Sequence, residues 1–389
     1  MEIALKNNRN LAIDMLRGLT MVLMVFVNEL WPVHDVPGFL EHADTWKDGM
    51  GLANFVYPLF LFAMGMSIPY AIDRRYEKGF DTRSTLLHIL RRTLALILMG
   101  VFIYNGEERE IAGSEPLYIL LYTVGFFLVW NAYPKDWKPQ RWLRAAGIVL
   151  LTVLAVTYRT EDGGLFKTGW WGILGQIGWA YLLCSIAYLL ARPRVWPLAL
   201  CWLFFSVTCL LGSEMRDGEL PIRGNMLVEM AKALHQGNGH ITVMALGGLL
   251  TTLCERKLTH AKWGIGLAAA AVLAVLGMLT HQGWIVSKNL GTLPWCLYVS
   301  ATAVALYTLL RVLEAKGWTA WFKPISVAGT ATLTLYMIPY LFEALWIVAD
   351  PSVPAWVAGW TGVGVVILYT AVCVAIAWLL TRLGLKLKI

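Results

Sequence analysis

Three polar side chains interrupt an apolar stretch near the start of the chain. Asp14, Arg17 and Asn28 lie within NLAIDMLRGLTMVLMVFVNELW, residues 10–31. Asp14 and Arg17 are three residues apart and therefore share a helix face. Asn28 follows Arg17 by eleven residues, about three turns, so the three groups form one stripe roughly 21 Å long. Because lipid cannot satisfy such groups, we interpret the stripe as part of a pathway or site. The plainer alternative is an ion pair at the headgroup level, with the amide bonded to a neighbouring helix.

The residues that follow this stretch continue the polar pattern. His42 and Trp46 lie in the next connection, and Asn54 begins the segment NFVYPLFLFAMGMSIP, residues 54–69. A loop histidine is usually a solvated surface residue. His42, however, comes shortly after the end of the polar stripe, so we expect it near any site that the stripe lines.

The elements that must position these residues are membrane helices. The 389 residues are 58% hydrophobic and only 15% charged, whereas soluble domains average about 25% charged residues. The sequence therefore predicts an all-α, polytopic membrane protein with one transmembrane domain over residues 1–389 and no removable signal peptide. We predict about twelve spans (10–12), at 11–32, 51–72, 88–105, 116–133, 143–158, 172–191, 195–212, 239–254, 262–280, 291–312, 325–348 and 358–381.

The distribution of basic residues predicts the orientation of these spans. If the N-terminus lies in the cytoplasm, 24 of the 32 lysines and arginines fall on the inner side and eight on the outer side. Positive charge favours cytoplasmic loops. We therefore expect both termini inside, a multi-pass protein of the bacterial inner membrane, and His42 outside. The net charge of +7 is then a topology signal, and we expect no nucleic-acid partner.

The cysteines indicate neither a disulfide framework nor a metal site. All six fall within predicted spans, and the sequence has no Cys-x-x-Cys pair or Cys/His spacing of the zinc-binding kind. We expect no metal. Membrane lipid is an expected partner, and the sequence leaves room for a homodimer.

Several segments resemble a family of transmembrane acyltransferases. AIDMLRGLTMVLMVFVNEL, the loop with His42 and Trp46, and the Asn54 helix resemble the heparan-α-glucosaminide N-acetyltransferase type, and most of all its bacterial NagX-like relatives. GILGQIGWAYLLCSIAYLL, IVSKNLGTLPWCLYVSA and ISVAGTATLTLYMIPYLF give further matches. The chain departs from the pattern where Asn54 replaces an acid, and His42 and Trp46 are one residue further apart.

The resemblance implies an acetyl transfer across the membrane. In that family cytosolic acetyl-CoA is the donor, an amino sugar on the other side is the acceptor, and a histidine at the outer edge serves the transfer. This role carries over onto His42, with Asn28 as its companion. A histidine can take a proton from the attacking amine, and the Asn28 amide can donate to the developing oxyanion. Direct transfer and a covalent acetyl-histidine both fit the sequence.

Several residues could bind the two substrates, some of them with a plainer alternative. Arginine forks suit the phosphates of acetyl-CoA, although inner loops are basic anyway; the candidates are Arg17, Arg74, Arg75, Arg91 and Arg92. Lys288 and Asn289 can hold sugar hydroxyls, or Lys288 can be an interface lysine. Gln176 and Trp179 can line the cavity, or can instead pack helices and sit in the interfacial aromatic belt. The remaining candidates for the sugar are Asp14, Trp46 and Asn54.

The rival function is a secondary transporter for amino sugars, which twelve spans and a polar stripe also allow. Many transporters contain two related halves with broken helices in matching positions. Residues 195–389 contain no repeat of the first-helix pattern, which favours the acetyltransferase. A scaffold or sensor protein leaves the stripe unexplained.

Overall fold

The computed structural model describes residues 10–107, 110–134, 136–192, 194–216, 225–237, 239–258, 262–350 and 353–389. Within these ranges the chain is helical without β-strands, which confirms the predicted all-α class. The α-helices are α1 (Leu11–Asn28), α2 (Ala53–Glu77), α3 (Thr82–Glu107), α4 (Glu115–Trp130), α5 (Gln140–Thr157), α6 (Gly172–Ala191), α7 (Trp196–Gly212), α8 (Met226–Gln236), α9 (Gly239–Lys257), α10 (Lys262–His281), α11 (Leu293–Ala315), α12 (Ser326–Thr330), α13 (Thr332–Tyr336), α14 (Ile338–Ala349) and α15 (Gly359–Arg382).

The length and composition of these helices support a multi-pass membrane protein. Each predicted span overlaps a helix. Nine helical segments of the described chain are long and apolar enough to cross a membrane: α1, α2, α3, α5, α6, α10, α11, the segment Thr332–Ala349 and α15. Helices α4 and α7 are apolar but shorter. Helix α9 is not among the nine, since it contains glycines and threonines and ends in a charged turn.

The predicted span 325–348 is not one helix but three short ones in series, α12, α13 and α14. The first break falls at Ala331, whose φ of −129° and ψ of 42° lie outside the helical region. Pro339 is the second residue of α14 and lacks a backbone N–H, which explains the second break. Arg17 bonds the backbone at the first break, because its Nε donates to the Gly329 carbonyl at 2.8 Å. Such side-chain bonds make a broken helix tolerable at membrane depth.

Helix α1 lies inside the bundle, in contact with α2, α11, α12, α13 and α15. Close packing beside it depends on glycine, most clearly between α2 and α9. A Cβ on Gly65 would lie 1.9 Å from the Ala245 carbonyl oxygen, and one on Gly248 would lie 2.0 Å from that of Phe62. Only glycine allows the two backbones to approach so closely. In the following, the bundle end at which α1 terminates is called the His42 end and the opposite one the Arg17 end.

Candidate active site

A large cavity lies at the His42 end and has a volume of about 1230 Å³. Its walls come from the C-terminal part of α1, the connection between α1 and α2, and helices α14 and α15. Asn28 and His42, the two predicted catalytic residues, both line it. Most of the remaining lining is apolar or aromatic. The structure therefore brings together in one cavity two residues that are fourteen positions apart in the sequence.

A buried asparagine holds the loop that carries His42. Asn54 is 1% exposed, and its Oδ1 accepts hydrogen bonds from the backbone amides of Ala43 at 2.9 Å and Gly51 at 3.0 Å. Its own carbonyl accepts from Trp295 Nε1 at 3.2 Å. Asn54, predicted to bind sugar, is thus placed to position the residue next to His42, and it is not among the described residues that line the cavity.

The connection between α10 and α11 is hydrogen-bonded to the same loop, and this set of bonds is called the clasp. Ser287 Oγ donates to the Thr45 carbonyl at 2.7 Å, and Asn289 Nδ2 donates to Thr45 Oγ1 at 2.9 Å. Asp48 accepts from the Val286 amide at 2.8 Å and bonds His281 Nε2 at 2.8 Å. These bonds tie two connections that are more than 200 residues apart in the sequence.

This clasp brings Lys288 to the His42 ring. Lys288 Nζ lies 3.5 Å from His42 Nδ1. Partial desolvation by the surrounding protein, and secondly the positive charge of Lys288, lower the pKa of the exposed His42 side chain from its ordinary 6.5 to about 4. Burial also lowers the pKa of Lys288 to about 8. At neutral pH His42 is therefore an uncharged imidazole beside a lysine that remains largely protonated.

Asp14 and Arg17, the first two residues of the predicted polar stripe, lie away from the lining of this cavity. Asp14 is 6% exposed and accepts from Arg17 Nη2 at 2.6 Å. Arg17 also donates to the Gly329 carbonyl, so both residues lie at the contact between α1 and α12. Neither is among the described residues of the cavity that holds Asn28. The stripe runs along α1, but its two ends have different surroundings.

The aromatic and amide residues predicted for the sugar are dispersed. Gln176 Oε1 accepts from Tyr57 Oη at 2.9 Å between α2 and α6. Trp179 packs against Trp171 with ring centroids 5.6 Å apart, and Trp46 is 66% exposed in its loop. The described lining of the cavity contains none of the three predicted residues. Lys288, in contrast, lies beside His42.

Only two of the five predicted phosphate-binding arginines line a common cleft among the pockets described. Arg75 and Arg91 line a surface cleft at the Arg17 end, together with Arg83, Ser84 and His88. Arg75 Nη2 donates to Ser84 Oγ at 3.1 Å. Arg92 lies over the Tyr181 ring at 4.8 Å, and Arg74 is exposed on the last turn of α2. Arg17 is separate from all of them, against α12.

Sequence reasoning missed the acidic character of the cavity. Besides Asn28 and His42, five glutamates line the cavity. One is in the connection between α1 and α2, and the others lie on or next to α1, α3, α4 and α14: Glu41, Glu29, Glu107, Glu115 and Glu343. Two signals were present in the sequence. Glu29 directly follows Asn28, and Glu343 interrupts an apolar span, where an ionisable residue is costly and marks a function.

Tyrosines hydrogen-bond part of this acidic lining. Tyr340 Oη donates to Glu107 at 2.7 Å and lies 3.1 Å from Tyr336 Oη. The broken helix supplies both tyrosines. The cavity thus combines carboxylates, hydroxyls and aromatic rings, a set that suits a polyhydroxylated, positively charged ligand.

Comparison with known proteins gives two kinds of match. The chain is 35% identical over 102 residues to heparan-alpha-glucosaminide N-acetyltransferase of Mus musculus, an alignment that covers 25% of this chain and 14% of the relative. The Homo sapiens protein of the same name is 33% identical over 98 residues, 24% of this chain and 13% of the relative. Both findings confirm the resemblance inferred from the sequence, although the chain aligns with less than a sixth of the length of each relative.

A family model covers a larger part of the chain than these alignments. The model described as "Domain of unknown function (DUF5009)" matches residues 9–218, which include α1, the His42 loop and helices α2 to α7. The match extends over more than half of the 389 residues. This protein therefore belongs to the DUF5009 family.

Proposed function

We propose that this protein is a membrane acetyltransferase that transfers acetyl from cytosolic acetyl-CoA to the amine of a glucosamine-like amino sugar at the outer face. One observation carries the proposal: Asn28 and His42, the residues that match the acetyltransferase pattern, line the same cavity at one end of the bundle. The partial identity to two N-acetyltransferases supports it. In this proposal the bundle has about twelve spans, both termini lie inside, and the His42 end faces outward.

The proposed donor approaches from the opposite end. The cleft with Arg75 and Arg91 offers guanidinium groups for the phosphates of acetyl-CoA. Arg91 and Glu107 are sixteen residues apart on α3, about 24 Å along its axis. Phosphates bound in that cleft and an acetyl group at His42 therefore require the donor to extend along the bundle, so that only the acetyl end reaches the cavity.

The chemistry proposed for the cavity uses the neutral state of His42. An uncharged imidazole can carry the acetyl group or hydrogen-bond the reacting groups during direct transfer. The Asn28 amide can donate to the oxygen that becomes negative in the transition state, a contact worth about 3–4 kcal/mol in other enzymes. Lys288 and Asn289 border the same loop, and in this proposal they hold sugar hydroxyls.

Turnover by the purified protein tests this proposal. We expect detergent-solubilised protein to release free coenzyme A thiol from acetyl-CoA when glucosamine is added, and to form N-acetylglucosamine in equal amount. His42→Ala is the control, since it should still bind acetyl-CoA. The proposal is wrong if the wild-type protein binds acetyl-CoA but forms no acetylated sugar.

The broken helix favours a second candidate, a secondary transporter for amino sugars. Discontinuous helices mark the substrate site in many transporters, and Tyr336, Tyr340 and Glu343 of α13 and α14 line the cavity. A transporter would take up labelled glucosamine into sealed vesicles without acetyl-CoA. The acetyltransferase requires acetyl-CoA and yields a chemically changed sugar.

A further inference from the structure

Glu29 lines the cavity from the C-terminal end of α1. It directly follows Asn28 and lines the cavity that holds Asn28 and His42. It is the C-cap residue of α1, and its backbone amide donates to the Val25 carbonyl at 3.3 Å. The residue is therefore fixed to the end of a helix rather than to a free loop, which suits a side chain that must act at a defined place.

The groups that face Glu29 come from two neighbouring helices. Glu343 of α14, and Tyr369 and Cys373 of α15, interact electrostatically with its carboxylate. Burial, and secondly the negative charge of Glu343, raise the pKa of Glu29 to about 7. A carboxylate with this pKa can take up a proton and release it again near neutral pH.

His42 is poorly suited to the same task. The Lys288 ammonium lies 3.5 Å from its Nδ1 and opposes a second positive charge on the ring. The ammonium form of an amino sugar, which predominates at pH 7 and below, has no free lone pair on nitrogen. A sugar that binds as the ammonium form must lose a proton before its nitrogen can attack, and a basic group of the cavity other than His42 can take that proton.

We propose that Glu29 is the general base that takes a proton from the ammonium group of the acceptor sugar. This inference rests on the acetyl transfer proposed above. The remaining cavity glutamates, Glu107, Glu115 and Glu343, add negative charge around the same space and favour a cationic acceptor over an anionic sugar.

The proton and electron balance of the step is simple. An N–H bond of the ammonium breaks, its proton goes to a Glu29 oxygen, and the electron pair stays on nitrogen. That pair forms the new bond to the acetyl carbonyl carbon, while the bond from this carbon to its donor atom breaks and leaves its electrons on the donor. The donor atom receives the second proton from nitrogen. Glu29 then releases its proton to the solution, so each turnover yields one proton.

The dependence of kcat/KM on pH tests the role of Glu29. For the wild-type protein we expect kcat/KM with glucosamine to rise with pH and to level off above about pH 7, once Glu29 is ionised. Glu29→Gln should lose roughly 5-fold or more at pH 7, where an amine with a pKa near 8 is only about a tenth unprotonated. Its residual rate should recover at higher pH, where the amine loses its proton without help. Glu343→Gln should shift the wild-type rise to lower pH, because the pKa of Glu29 falls when the neighbouring negative charge is removed.

A matched control is Glu161→Gln, an exposed glutamate in the loop between α5 and α6 that does not line the cavity. It should keep the wild-type rate and profile. The inference is wrong if Glu29→Gln keeps the wild-type rate and profile, and equally if Glu343→Gln leaves the rise where it was. If Glu29→Gln does not fold, the pH dependence of kcat/KM in Glu343→Gln alone tests the role of Glu29. An inactive wild-type protein would instead refute the proposed acetyl transfer.

Discussion

Replacing Asn54 with alanine should loosen the loop that carries His42 without touching the cavity itself. The Asn54 side chain is buried, and its Oδ1 accepts from two backbone amides, those of Ala43 and Gly51. The alanine variant leaves both donors without this acceptor. Gly51 is buried and Ala43 is partly buried, so water can reach the Ala43 amide more easily than the Gly51 amide.

The expected magnitude follows from these two bonds. An unsatisfied buried amide costs about 1–3 kcal/mol, and a partly buried one costs less, so Asn54→Ala should lower the free energy of unfolding by about 2–4 kcal/mol. Because Ala43 is adjacent to His42, the loss should appear in kcat, with the affinity for acetyl-CoA unchanged. Asn54→Asp keeps an oxygen in the accepting position, and the related family carries an acid there, so this variant should recover both stability and rate.

Two assays check this prediction on the same preparations. Thermal unfolding in detergent measures stability, and coenzyme A release with glucosamine, alongside acetyl-CoA binding, separates kcat from donor affinity. An Asn54→Ala protein that melts and turns over like the wild type would refute the idea that Asn54 positions His42. So would a variant in which only the affinity for acetyl-CoA falls.

Other variants should respond in distinct ways. His42→Ala should still bind acetyl-CoA but lose roughly 10²–10⁴-fold in transfer rate, and Asn28→Ala should lose about 10²–10³-fold in kcat; coenzyme A release measures both. Lys288→Met should raise the pKa of His42 above about 4, because a positive neighbour disappears while burial remains. NMR titration of labelled histidine measures this pKa, and an unchanged value would leave burial as the sole cause. Arg17→Ala should cost roughly 2–5 kcal/mol of stability, since it leaves Asp14 and the Gly329 carbonyl without this partner; unaltered thermal unfolding would contradict that role.

Local sequence patterns predicted most of the helices and part of the site. Apolar runs place the helices, because lipid-facing and core-facing residues are both apolar in a membrane bundle. The stripe on α1 is also a local property, since helix periodicity alone aligns Asp14, Arg17 and Asn28. The resemblance added His42 and its pairing with Asn28, and the structure brings these two residues to one cavity.

What the sequence did not predict depends on distant contacts. At the first break in 325–348 the Gly329 carbonyl accepts a hydrogen bond from Arg17, about 310 residues earlier. The proximity of Lys288 to His42 depends on the clasp between two connections that are remote in sequence. The role of Asn54 likewise depends on the fold of the loop before it, which brings the backbone amides of Ala43 and Gly51 to its side-chain oxygen. Periodicity and composition do not contain this information.

In the proposed reaction an acetyl group from one side of the membrane reaches an amine on the other side. The most direct measurement uses proteoliposomes with one protein orientation, glucosamine enclosed on the His42 side and labelled acetyl-CoA added on the opposite side. We predict labelled N-acetylglucosamine inside and free coenzyme A outside in equal amounts, both lost in His42→Ala. Labelled sugar that forms only when the two substrates are on the same side, or enclosed glucosamine that leaves unmodified without acetyl-CoA, would contradict the account.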